Sequence, residues 1–429
     1  MLLSQSIELP CGVQIKNRIA KSAMTEGLAS FEGNPTDALA RLYRIWGSGG
    51  AGLLLSGNIM VDRDHLERPG NVVLDGPIGE VMKSALLNWS EAGRCHGAQF
   101  WAQISHSGRQ TLKIVNATPK APSPVPLKLP GGEFGRPAEL SIDEVEQVIE
   151  KFATCASKAK GGGFTGVQIH AAHGYLLSQF LSPRSNRRND RYGGSLINRA
   201  RALIEVVSST RRTVGKDFPV AVKLNSSDFQ RGGFSFEECL KVVSWLESEG
   251  IDLIEISGGN YEQPKLLGIS GLESEDEPFV PRAKRMKEAY FADFATAIRE
   301  KTSVPLMVTG GFRRREMMCQ VIENGSVDII GLARPMCVMT DAPNRLLEGL
   351  NELPRLEDTL SLLPSWLKVL DQFKLFRAIN GFAVQYWYYA QLEALGLTGE
   401  VDSGISVLSA ARNVLKEQKI YAAKNRKLG

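Results

Sequence analysis

The residue pattern predicts an α/β protein, a closed parallel (β/α)8 or TIM barrel with an N-terminal hairpin before it and a helical C-terminal extension after it. Three observations carry that reading. Eight short apolar runs suited to buried strands recur along the chain and mostly alternate with longer stretches of helical periodicity. No G-x-G-x-x-G turn follows an early strand, as an open doubly wound sheet would favour. Glycine accounts for 42 of the 429 residues, above a usual share of about 7%, which suits many tight turns between short elements.

Taken in order, Ile7-Glu8-Leu9 and Val13-Gln14-Ile15 flank Pro10-Cys11-Gly12, a short hairpin placed to close the bottom of the barrel. Strand candidates follow at Ile19 to Met24, Gly52 to Ser56, Gln99 to Ile104, Gly166 to His170, Val220 to Leu224, Leu253 to Ser257, Pro305 to Thr309 and Asp328 to Gly331. Between them, Ser141-Ile142-Asp143-Glu144 and Ser235-Phe236-Glu237-Glu238 have capping-box spacing, in which serine and glutamate satisfy orphan amides reciprocally. Gly161 and Gly250 suit helix stops. The proline-rich Ala117 to Pro137 is too long for a routine βα turn and is expected to be a lid or binding loop. A second long loop, Gly258 to Lys287, follows strand six, and both emerge at the C-terminal face, where such barrels carry their sites. Beyond about Pro354 the pattern changes. Trp366, Val369, Leu370, Phe373 and Phe376 are spaced as one helix face, and Tyr386-Trp387-Tyr388-Tyr389 adds an aromatic cluster. The chain thus divides into a barrel domain over 1–353 and an extension over 354–429, expected to pack on the barrel's outside or on a neighbouring subunit of a homo-oligomer rather than to cage a ligand.

Composition narrows the function classes. With 43% hydrophobic and 23% charged residues, the chain has the make-up of a globular protein. Its 51 lysines and arginines against 47 aspartates and glutamates give +4, too small and dispersed for a nucleic-acid or polybasic membrane footprint. The opening Met1 to Ser6 has no basic leader pattern, and no run approaches the ~18 apolar residues of a membrane helix, so a cytoplasmic protein is expected. Cys11, Cys95, Cys155, Cys239, Cys319 and Cys337 lie far apart with no C-x-x-C pair, which reads as isolated small hydrophobes rather than metal ligands.

Strand four ends in Gln168-Ile169-His170-Ala171-Ala172-His173-Gly174-Tyr175, placing two imidazoles and a phenol where a barrel site belongs. Two histidines three apart reach one oxygen as hydrogen-bond donors or one ion as ligands, and a nearby tyrosine supplies a proton. A zinc site would want a third ligand, and His65, His96 and His106 offer no obvious partner by spacing. Gln103 and Lys223 bring an amide and a cation to the same face. Thr309-Gly310-Gly311 fits a plain turn as well as a phosphate cradle; Arg334, close to the end of the next strand, favours the phosphate.

The stretch Ser178-Gln179-Phe180-Leu181-Ser182-Pro183, Ser185-Asn186, Asp190-Arg191-Tyr192-Gly193-Gly194-Ser195 and Asn198-Arg199 resembles the Old Yellow Enzyme family. So do Lys16-Asn17-Arg18-Ile19, Gln103-Ile104-Ser105-His106-Ser107-Gly108-Arg109 and Ala121-Pro122-Ser123-Pro124-Val125-Pro126, and the likeness runs from about Ser6 to about Leu350. The resemblance implies a (β/α)8 barrel that binds FMN and takes hydride from NAD(P)H. It puts Ser22, Ala23, Met24 and Thr25 along the flavin, Asn58 and Gln103 at further flavin contacts, and Lys223 beside its N1 and C2 carbonyl, where a cation stabilises the reduced ring. Gly311, Ala333 and Arg334 match the phosphate segments, with Gly310 beside them. His170 and His173 match the pair that holds the substrate's activating oxygen, and Tyr175 the proton donor. Gly27 lacks a tyrosine that one branch uses for substrate contact. The implied reaction is ene-reduction of an α,β-unsaturated carbonyl or nitro compound. The rivals are amine oxidation or demethylation on the same barrel and, from another class, a hydrolase with His170 and His173 on a metal.

Overall fold

The computed structural model describes residues 2–129, 132–263, 289, 291–363 and 373–425. All eight predicted runs form strands: Ile19–Lys21, Leu53–Met60, Gln99–Ser105, Gly166–Ala171, Val220–Asn225, Leu253–Ser257, Leu306–Thr309 and Ile329–Leu332. Each pairs in parallel with the next, and the pairing of Ile329–Leu332 with Ile19–Lys21, and of that strand with Leu53–Met60, closes the ring. Closure leaves none of these eight strands at an edge, and nearly every residue in them is buried because helices cover the outer face. The first strand is shorter than predicted, ending at Lys21 with one last ladder bond from Ser22 N–H to the Leu332 carbonyl at 2.8 Å. The second runs on to Met60, with a register irregularity between Leu55 and Asn58 that brings Asn58 level with Gln103.

The hairpin forms as predicted, Ile7 opposite Ile15 and Glu8 opposite Gln14. Ile7, Leu9 and Ile15 pack into one apolar cluster with Leu53, Trp101, Leu253, Met307 and Ile329, the inward residues at the strands' N-terminal ends. The barrel therefore has a plugged floor, and a site can open only at the other end. Both capping boxes close: Glu144 N–H donates to Ser141 Oγ at 3.1 Å and Ser141 N–H to Glu144 Oε2 at 2.8 Å, with the matching pair at Ser235 and Glu238. Gly250 adopts a positive φ just beyond helix Phe236–Ser248. Gly161, by contrast, is still helical; the left-handed residue is Gly163, two positions on.

Among the described residues the extension forms two α-helices, Lys374–Thr398 and Val407–Asn425. Of the helix face expected there, Trp366, Val369 and Leu370 lie outside the described residues, and Phe373 and Phe376 are exposed. The face that is buried is Ala383, Val384, Trp387, Tyr388, Leu392 and Leu395. Arg41, on the barrel helix Asp37–Ser48, fastens it by donating to the carbonyls of Gly396 and Leu397 at 2.7 and 2.8 Å. Among the described residues no helix is long and apolar enough to cross a membrane.

Candidate active site

Above the apolar floor the inward positions turn polar and bond into a chain. Gln103 Nε2 donates to Gln168 Oε1 at 2.6 Å, and Gln168 Nε2 to Glu255 Oε2 at 2.8 Å. Glu255 Oε1 takes Lys223 Nζ at 2.9 Å and the Thr309 hydroxyl at 2.6 Å, and Ser22 Oγ lies 2.6 Å from Thr309 Oγ1. A fully buried carboxylate is tolerable only with such pairing. Glu255 escapes a reading of motifs, yet strand alternation carries its signal: in Leu253-Ile254-Glu255-Ile256-Ser257 the odd positions share one side.

At the mouth, His170 pairs opposite Lys223, one position before the ladder ends at Ala171, and His173 and Tyr175 stand in the turn that follows. His173 has φ 61°, a strained value for a side chain with Cβ. Neighbours over-determine it: its N–H donates to Asn225 Oδ1 at 3.1 Å, its carbonyl accepts from Gln110 Nε2 at 3.1 Å, and Nε2 lies 2.7 Å from Ser257 Oγ. The His170 ring centre is 5.1 Å from that of His173 and 4.7 Å from that of Tyr175. The Tyr175 hydroxyl sits 2.8 Å from that of Tyr261, a residue in the first part of the long loop after strand six. Burial, and then the Lys223 charge, hold both imidazoles well below the usual histidine range. Burial and then Glu67 push Tyr175 well above the usual phenol range. Neutral imidazoles and a protonated phenol are groups that polarise an oxygen and give up a proton.

These residues share a cleft of about 550 Å³ with Ala23, Met24, Thr25, Asn58, Gln103, Lys223, Gly310, Gly311, Ala333 and Arg334. Ser22 is not among the residues lining it; its hydroxyl bonds that of Thr309, which is. The lining combines the Gln103 amide and the Lys223 cation with Gly310 and Gly311, both at positive φ, and the Arg334 guanidinium. At Gly331 an added Cβ would lie 2.0 Å from Thr309 Oγ1, so the backbone there approaches as only glycine allows. A flat polar ring with an anionic tail fits this arrangement. Arg313, not anticipated, joins Arg334 around Glu357, at 2.5 and 3.8 Å. Burial opposes the charge on Glu357, but Arg334 and Arg313 prevail and hold it below the usual carboxylate range. Glu67 is a second unforeseen carboxylate, accepting from the Thr25 hydroxyl and from Asn58 Nδ2.

The loop predicted as a lid borders the cleft through Leu129, Glu133 and Phe134. Its clasp is a buried ion pair, Arg109 to Glu262 at 2.9 Å, with Arg109 also donating to the carbonyls of Val125 and Pro126. Most of the second loop, 264–288, lies outside the described residues. The aromatic run of the extension takes a place that its spacing does not announce. Tyr386, Tyr388 and Tyr389 line the cleft, so the tail roofs the site besides packing on the barrel.

His65 and His106, without a partner by spacing, meet Asp62. His65 Nε2 accepts from Lys120 N–H and His106 Nδ1 from Gly108 N–H, so the other nitrogen of each ring carries its proton. A metal-bound imidazole presents the reverse arrangement, its second nitrogen donating. Lys151 also already pairs with Asp62 at 2.5 Å. The trio is a structural tie between loops.

This chemistry, on this barrel, defines a flavin oxidoreductase. Residues 6–352 match the NADH:flavin oxidoreductase / NADH oxidase family, and the chain belongs to it. The family's cofactor is FMN, with NADH or NADPH as hydride donor. The chain is 37% identical over 349 residues to the NADH-dependent flavin oxidoreductase iliE of Neonectria sp. (strain DH2), covering 77% of this chain and spanning 45% of that one. It is 32% identical over 424 residues to the NADH-dependent flavin oxidoreductase iccE of Talaromyces variabilis, covering 92% and 99% of the two. In fold it is similar to the old yellow enzyme homologue from Zymomonas mobilis, with a TM-score of 0.68 at 24% identity over 85% of this chain and 98% of that one.

Proposed function

We propose that the protein is an ene-reductase, acting on the activated double bond of an α,β-unsaturated carbonyl or nitro compound. The observation that carries this is the pair of buried imidazoles, ring centres 5.1 Å apart, with the phenol ring of Tyr175 4.7 Å from His170 at one mouth. Thr25, Asn58, Gln103 and Lys223 would hold the ring of FMN, with Ala23 and Met24 alongside, and Gly310, Gly311, Ala333 and Arg334 its phosphate. The chemistry supplied by bound FMN is hydride transfer, from NAD(P)H to the acceptor's β-carbon. His170 and His173 donate hydrogen bonds to the acceptor's oxygen and draw electrons from the double bond. His173 Nε2 then exchanges its contact with Ser257 Oγ for that oxygen. Tyr175 protonates the α-carbon, and Tyr261 replenishes its proton through the hydroxyl pair. Lys223, held by Glu255, places positive charge at the ring's edge. The partners are thus a nicotinamide and an electrophilic alkene taking turns in one cleft.

Anaerobic stopped-flow separates the roles. Tyr175→Phe should leave reduction of the yellow enzyme by nicotinamide near normal while slowing turnover of cyclohexenone by ~10² to 10⁴-fold, the usual loss of a general acid. Wild-type turnover in the variant would overturn the assignment. Product analysis with an amine in place of the enone tests the amine-oxidation rival.

A further inference from the structure

Glu67 lines the cleft, and its carboxylate touches two of the residues that would hold the flavin ring. Thr25 donates its hydroxyl proton to Oε2, and Asn58 Nδ2 donates to the same oxygen at 3.1 Å. Thr25 and Asn58 are only 8% and 7% exposed, so these bonds fix the carboxylate against the cleft wall. Its charge stands out because most of the others are paired. Lys223 meets Glu255, Arg109 meets Glu262, Arg68 meets Glu417, and Arg313 and Arg334 share Glu357. Glu67 forms no ion pair among the described residues. Glu133, also an unpaired carboxylate of the lining, is exposed on the lid loop, where water screens it. The Glu67 charge reaches across the mouth: after burial, it is the largest cause that raises Tyr175, Tyr261 and Tyr389 above the usual phenol range. A reduced flavin carries negative charge that the oxidised ring does not. A fixed anion beside the ring therefore opposes reduction, and pairing with Glu255 limits how far Lys223 compensates.

We infer that Glu67 is a redox-tuning residue, whose carboxylate lowers the reduction potential of the bound flavin and so makes the reduced ring a stronger hydride donor. The inference rests on the reading that Thr25 and Asn58 lie along the ring. Spectroelectrochemical titration of the FMN-loaded enzyme tests it without turnover. Glu67→Gln, which removes the charge at nearly constant shape, should raise the midpoint potential by about 30 mV or more, a tenfold or larger change in the reduced-to-oxidised ratio of a two-electron couple. Glu67→Asp keeps the charge and should stay closer to the wild type. Thr25→Val removes a hydrogen bond and leaves the carboxylate, so it should retain most of the low potential. Flavin absorbance and thermal melting check that each variant is folded and loaded, and Glu67→Ala repeats the measurement should the glutamine variant lose its flavin. An unchanged or lower potential on removal of the charge, or a rise as large in Glu67→Asp, would overturn the inference. So would an equal rise in Thr25→Val, which would mean that the hydroxyl sets the potential. Lys223→Met separates this from the reading of the site. Should it lower the potential while Glu67→Gln leaves it unchanged, the ring lies where expected and Glu67 alone fails; should neither move it, the ring does not lie in this part of the cleft and both fall.

Discussion

Buried imidazoles tie this protein's stability to acidity. His106, His170 and His173 are all held well below the usual histidine range, first by burial and then by neighbouring cations or imidazoles. Below about pH 6.5 the unfolded chain takes up protons that the folded one refuses, so their contribution is complete above that pH and is lost as pH falls through it. Urea titrations should show the unfolding midpoint dropping between pH 7 and pH 5, with a shallower drop in His170→Gln. An equal slope in that variant would mean His170 titrates alike in both states. His170, His173 and Tyr175 were legible in the sequence because three chemical groups crowd six positions at the end of one strand. Glu67, Glu255, Tyr261 and Arg313 were not. Each is a lone polar residue whose meaning depends on a partner far along the chain, as Tyr261 depends on Tyr175.

Helix ends show what local chemistry decides. Ser141 holds its cap through two reciprocal bonds, so Ser141→Ala should cost about 0.5 to 2 kcal/mol, read from denaturant unfolding. A loss below that range would mean that the Lys120 to Glu144 ion pair, at 2.6 Å, holds the helix start unaided. The same locality explains why eight strands and both caps were readable from spacing while some boundaries were not. Gly161, Gly162 and Gly163 follow one another, and only backbone conformation distinguishes the left-handed Gly163 from its neighbours. Residues from Ser22 to Thr25 continue the apolar and small pattern of the first strand, yet beyond the Ser22 N–H bond to the Leu332 carbonyl they line the cleft instead, as Ala23, Met24 and Thr25 do. Tail periodicity disclosed a buried face without disclosing that its tyrosines would border the site; amphipathicity names a side, not a neighbour.

For the whole molecule, ligand linkage gives a direct measure of the cleft. Adding FMN to flavin-stripped protein at a hundred times its dissociation constant should stabilise the fold by about 2.7 kcal/mol, seen as a higher melting temperature. Arg334→Ala should shrink the gain at fixed FMN, and an undiminished gain would remove Arg334 from the phosphate end. The roof has one more consequence, which concerns time rather than energy. Every barrel residue that lines the cleft, as far as Cys337, precedes the tail helices in the chain. A ribosome adding about 5 to 20 residues each second needs several seconds to pass from that cysteine to the end of the second tail helix. During those seconds the cleft has no tail helix over it, and a ligand can enter from above before those helices are made.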